Sequence, residues 1–101
     1  MKLVIVTCPV NESEKIAECI LTKKLAACVN IIPHISSIYW WEDKITKDEE
    51  SILFIKTKPL LVSPLIEKIK EIHSYKVPEI IVLDIIDGNP DYFKWIQSVV
   101  Q

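Results

Sequence analysis

The sequence predicts an α+β fold in the order β-α-β-β-α-β, the split-βαβ or ferredoxin-like pattern of a four-stranded antiparallel sheet, with one extra C-terminal helix. Three observations carry it. Runs rich in Val, Ile and Leu at residues 2–8, 27–44, 51–57 and 79–86 are interrupted by helical periodicity near 12–25 and 63–73. Half of the 101 residues are hydrophobic, enough for one core, so residues 1–101 are read as a single domain. Trp40 and Trp41 are adjacent in Tyr39-Trp40-Trp41-Glu42, and successive strand side chains point to opposite faces, so the pair asks for cover on both sides.

Lys2 to Cys8 is nearly continuous in apolar, β-branched residues and reads as a strand buried on both faces, ended by Pro9. Asn11 stands in N-cap position with Glu14 three residues on, and Ile16, Ala17, Ile20 and Leu21 give the helix over about 12–25 its buried face. Ala27 to Lys44 is long for one strand. Pro33 cannot donate to a ladder, so a bulge or bend is expected at Pro33-His34 before the run Ile38 to Glu42. Asp43 to Glu49 reads as a charged turn, with Ser51 to Thr57 returning as the second hairpin arm.

Pro59 and Pro64 punctuate the next element. A helix is placed with Ser63 as cap and Pro64 as first residue, ending near His73, with Leu65, Ile66, Ile69 and Ile72 on one stripe. Val77-Pro78 leads into a last strand, Glu79 to Ile86. Asp87-Gly88-Asn89-Pro90 is a turn, and Asn89 caps a short terminal helix bearing Tyr92, Phe93, Trp95, Ile96, Val99 and Val100. Strands lie about 4.8 Å apart and a helix is about 10 Å across, so the two long helices fill one face of the sheet. The uncovered apolar face marks a partner interface and predicts an obligate oligomer, with Trp40, Trp41 and Trp95 as candidate interface residues.

Composition narrows function by exclusion. The formal charge is −2 and the sequence pI about 5.6, without the basic stripe of a nucleic-acid-binding protein and with no reason to expect an anionic membrane. Apolar runs fall well short of the roughly 20 residues that span a bilayer, and no signal-peptide pattern follows Met1-Lys2, so a cytosolic location is expected. Cys8, Cys19 and Cys28 are odd in number and without Cys-x-x-Cys spacing, which reads as reduced thiols packed as small apolar groups. One glycine, Gly88, leaves no material for a phosphate-binding loop or a dinucleotide fingerprint.

No serine or cysteine can be tied to His34 or His73 and an orienting carboxylate, so no enzyme is predicted. The acidic group Glu42, Asp43, Asp48, Glu49 and Glu50 reads as a solvated hairpin tip, with a weak cation site or an acid/base pair as the alternatives. In His73-Ser74-Tyr75-Lys76-Val77-Pro78-Glu79, imidazole, phenol and carboxylate meet where a helix ends and a strand begins. His73 is either a helix C-cap or a transition-metal ligand, and several ligands would have to converge across a symmetry axis for the second. His34 reads as an exposed loop residue. Tyr39, Trp40, Trp41 and Trp95 pack in a core or interface, or stack on a ligand.

Several segments together resemble the CutA1 divalent-cation tolerance family: Thr7-Cys8-Pro9, Leu25-Ala26-Ala27-Cys28-Val29-Asn30, Tyr39-Trp40-Trp41-Glu42-Asp43-Lys44-Ile45, Lys56-Thr57, and His73-Ser74-Tyr75-Lys76-Val77-Pro78-Glu79-Ile80-Ile81. The resemblance spans nearly the whole chain. It implies a PII-like homotrimer, no catalysed reaction, no organic cofactor, and association with Cu(II) or another divalent cation. By position it implies His73 and Cys28 as metal ligands and Tyr39, Trp41, Glu42, Tyr75 and Glu79 as the lining of an inter-subunit cleft. As an alternative it implies a PII-like signalling or adaptor module taking a small ligand or protein partner in such clefts. The sequence departs from the family at Ser74, where Pro is usual, at Lys76, where Glu is common, and at Asp43, where Gly usually follows Trp-Glu; a copper-binding thiol of some members falls on Val6.

Overall fold

A computed structural model describes residues 1–101. Its elements are β1 (Lys2–Cys8), α1 (Ser13–Thr22), β2 (Cys28–Trp41), β3 (Lys44–Thr57), α2 (Val62–Ile72), β4 (Ile80–Asp84) and α3 (Pro90–Val99). The strands form one antiparallel sheet in the order β2-β3-β1-β4, the mixed α+β fold expected.

Register decides which side chains meet the helices. Val4 pairs with Ile55, Val6 with Leu53, and Cys8 with Ser51, and all six are fully buried. All but Ser51 join Ile16 and Ile20 of α1 and Leu65 and Ile69 of α2, the two helical stripes, in a cluster of eleven buried residues. Each buried Val, Leu or Ile side chain there contributes about 1.5–3 kcal/mol by leaving water. The alternate residues, Ile5, Phe54, Ile81 and Leu83, point to the second face, where Ile81 and Leu83 are exposed. There α3 covers one end: Tyr92 reaches Cys28 and Ile96 is fully buried. Asn89 caps α3, its side-chain oxygen accepting from Asp91 N–H at 3.0 Å. A Cβ at Gly88 would lie 2.6 Å from the tip of the Phe93 ring, so a larger residue there would displace that ring.

The bulge falls where Pro33 placed it. The β2–β3 register shifts between Ile32 and Ile35, and His34 takes φ 60°, its Nδ1 2.8 Å from Glu49 Oε1. Other boundaries move. α1 is entered through a 3-10 turn at Val10–Glu12, so Asn11 and Glu14 form no capping box; Ser13 Oγ instead donates to Val10 O. α2 starts at Val62 after a 3-10 turn at Pro59–Leu61, which puts Ser63 and Pro64 inside its first turn, where the missing N–H of proline costs no helical bond. β4 ends at Asp84, short of Ile86.

The largest difference is at the hairpin. Asp43 to Glu49 is not a turn: β3 begins at Lys44, and only Glu42 and Asp43 connect the arms, at φ 48° and 62°. Because β1 pairs with β3 no further than Ser51, Ile35–Trp41 and Lys44–Glu50 project as a two-stranded ribbon, whose charged β3 residues Lys44, Lys47, Asp48 and Glu49 are exposed while Glu50 at its root is buried. Both indoles are therefore exposed, Trp40 at 72% and Trp41 at 54%, and the chain's own helices supply neither side of the pair with the cover it asks for.

A two-residue turn with both φ values positive favours glycine at its second position. Asp43→Gly is expected to tighten the tip by about 0.5–1 kcal/mol, read as slower amide exchange across the Trp41–Lys44 pair. A second expectation concerns pH. Burial first, then the charges of Glu12 and Glu50, push the Cys8 thiol from an ordinary 9.0 up to about 11. The folded chain thus keeps a proton that the unfolded chain releases from about pH 9. Stability should be unaffected below that pH and fall by about 1–2 kcal/mol as pH rises towards 11. Urea titrations of Cys8→Ala across that window should lack this component of the decline.

Candidate functional site

His73 ends α2. Its N–H still bonds Ile69 O, but its ψ of 138° turns the chain out of the helix towards β1. The imidazole is 7% exposed and uses both nitrogens: Nε2 lies 2.7 Å from Thr7 O, and Nδ1 accepts from Tyr75 N–H at 3.0 Å. A carbonyl only accepts, so Nε2 carries the proton and donates. The ring packs on Tyr75 with centroids 4.7 Å apart and planes at 47°. Tyr75 in turn donates its hydroxyl to Glu50 Oε2 at 2.9 Å. One chain of contacts thus runs from β1 through the helix end to the root of the ribbon.

Between the ribbon and residues 75–79 lies a cleft of about 640 Å³. Tyr39, Trp41, Tyr75 and Glu79 line it together with Asp48 and Glu50; Thr7, Ser37, Ile38, Lys76 and Val77 complete the wall. Two tyrosine–carboxylate pairs face one another here, Tyr75 with Glu50 and Tyr39 with Asp48. Burial and the Glu50 bond hold the Tyr75 phenol well above its ordinary range, and the Asp48 bond raises that of Tyr39. Both hydroxyls remain donors.

Of the expected cleft residues, Tyr39, Trp41, Tyr75 and Glu79 come together, while Glu42 sits in the turn at the ribbon tip and does not line the cavity. Asp48 and Glu50, read from sequence as part of a solvated tip, were the residues missed. The signal that could have found them is their spacing, which puts both on one face once the strand is extended back to Lys44.

The expected metal pair is not assembled within the chain. Cys28 pairs with Lys56 on β3, whereas Thr7, which holds His73, pairs with Ile52, four residues and about 13 Å along the strand. Cys28 Sγ lies 4.0 Å from Lys56 Nζ and Asn30 Oδ1, and His73 has no free nitrogen. No group of three or more His, Cys, Asp or Glu is placed to hold an ion, so the residues of one chain do not fit a resident metal. Trp95 stacks on Tyr92 at 5.5 Å on α3, away from the two ribbon indoles.

Comparison with known proteins gives the family. The sequence pattern described as CutA1 divalent ion tolerance protein matches residues 2–99. A relative from Oryza sativa, "Protein CutA 1, chloroplastic", is 47% identical over 97 residues, covering 95% of the chain. The chain spans about half the length of the rice relative and of a mouse relative, 55% of each. The crystal structure of CutA1 from Oryza sativa superposes with a TM-score of 0.96 at 44% identity, covering 99% of the chain and 93% of its counterpart. The solved structure of the periplasmic divalent cation tolerance protein CutA from Archaeoglobus fulgidus gives a TM-score of 0.95 at 38% identity, with full coverage of both chains. The Archaeoglobus protein is named for divalent cation tolerance, and none of these names states a reaction. The relatives also overturn the cytosolic expectation, since one is described as periplasmic and another as chloroplastic. No helix is long and apolar enough to cross a membrane.

Proposed function

The chain belongs to the CutA1 divalent ion tolerance family, and on that premise we propose that it acts without catalysis, as a homotrimeric PII-like module that takes a small ligand in the Tyr39–Tyr75 cleft. The observation that carries the reading is the cleft itself. Its volume of about 640 Å³ suits a small molecule, and its walls mix aromatic faces with a few fixed polar groups. The trimer is supported by the ribbon, which exposes Ile38, Trp40 and Ile45 on one face, and by the open second face of the sheet.

A second reading keeps the metal as the ligand. Asp48, Glu50 and Glu79 line the cleft, and donors from a neighbouring chain would complete a site for Cu(II) or another divalent cation that one chain lacks. On this reading neither His73 nor Cys28 is needed. Thermal denaturation separates the two, since a ligand of the folded state stabilises by RT ln(1 + [L]/Kd). A shift with organic ligands that Asp48→Asn removes supports the first reading. A shift with Cu(II) alone, lost in the same variant, replaces it with the second.

A further inference from the structure

Three features of the cleft together define its occupant. Glu50 is only 5% exposed; its Oε2 accepts from Tyr75, while Oε1 accepts no hydrogen bond within the chain. A buried carboxylate with a free oxygen facing a cavity calls for a cation. Tyr39, Trp41 and Tyr75 supply three aromatic rings around the same space, the lining that favours an organic cation through its ring faces. Glu79 and Asp48 add carboxylates, against Lys76 as the one cation of the wall.

A single metal ion fits this arrangement poorly. Metal–oxygen distances are about 2.0–2.6 Å and demand converging donors. Here no three such groups converge, and the cavity is many times larger than one coordination sphere. Asp48 and Glu50 are instead alternate residues on one strand face, about 7 Å apart along it. That spacing suits two positive charges joined by a short alkyl chain, whose methylenes would lie against the rings.

We propose that the cleft binds an organic dication of the short α,ω-diamine class, one ammonium on Glu50 and the other on Asp48. The proposal rests on the reading of the cleft as a small-ligand site. 1,4-Diaminobutane is the probe, titrated calorimetrically into the full chain, with 1-aminobutane and 1,4-butanediol as controls. Saturable binding of the diamine is expected, about tenfold weaker for the monoamine and absent for the diol. Asp48→Asn, at an exposed position, should weaken the diamine by about tenfold, whereas Tyr75→Phe, which keeps the ring and leaves both Glu50 oxygens free for the ammonium, should not weaken it, with far-UV circular dichroism unchanged in each. Equal binding of diol and diamine, or full affinity in Asp48→Asn, overturns the proposal. Binding of an anionic or neutral compound in the diamine's place, sensitive to Tyr75→Phe, overturns the ligand class and leaves the cleft reading standing. If neither diamine nor any other organic compound binds, both fall.

Discussion

Replacing His73 by alanine is expected to lower the free energy of unfolding by about 2–4 kcal/mol in urea titrations. The imidazole is buried, and its loss leaves Thr7 O and Tyr75 N–H without partners while opening a void beneath the Tyr75 ring. The consequence reaches the cleft, because Tyr75 is held in place to donate to Glu50. His73→Gln should recover part of the loss, since its amide can still donate to Thr7 O. The same pair of variants tests the metal role. With both ring nitrogens engaged, His73→Gln should leave the calorimetric response to Cu(II) as in the wild type. Loss of that response in a folded His73→Gln protein would return His73 to the ligand set.

The second large effect is on assembly. Ile38 and Trp40, 67% and 72% exposed, share one ribbon face with Ile45, which pairs with Trp40 across the ladder. Changing Ile38 and Trp40 together to glutamate is expected to reduce the particle to a single chain, because packing this face against a neighbour would bury unpaired carboxylates at a cost of several kcal/mol each. Neither side chain belongs to the buried core, so secondary structure by circular dichroism should be retained. An unchanged mass would show that the ribbon is not part of the interface.

Local signals were readable wherever one residue type has one physical use. Pro33 fixed the bulge because it cannot donate, Asn89-Pro90 fixed the start of α3, and the stripes of α1 and α2 identified the core face. The ribbon was not readable in this way. Lys47, Asp48, Glu49 and Glu50 have the composition of a turn, and only pairing with Ile35–Ile38 makes them strand. With the strand start misplaced, Asp48 and Glu50 could not be assigned to the cleft, and the two indoles were referred to the helix-covered part of the sheet, whereas they lie on the ribbon where β2 pairs with β3 alone. His73 was legible as a site residue but not as a bonded one. Its partner Thr7 is 66 residues away, and nothing local in the sequence distinguishes a free imidazole from one held by a carbonyl.

The ribbon that forms one wall of the cleft has no cover in the single chain, and the proposed trimer supplies it. Multi-angle light scattering of the wild-type chain at micromolar concentration tests this directly. A mass three times that of one chain is predicted. A particle of 11.7 kDa would contradict it, leaving the exposed indoles and the open sheet face unexplained.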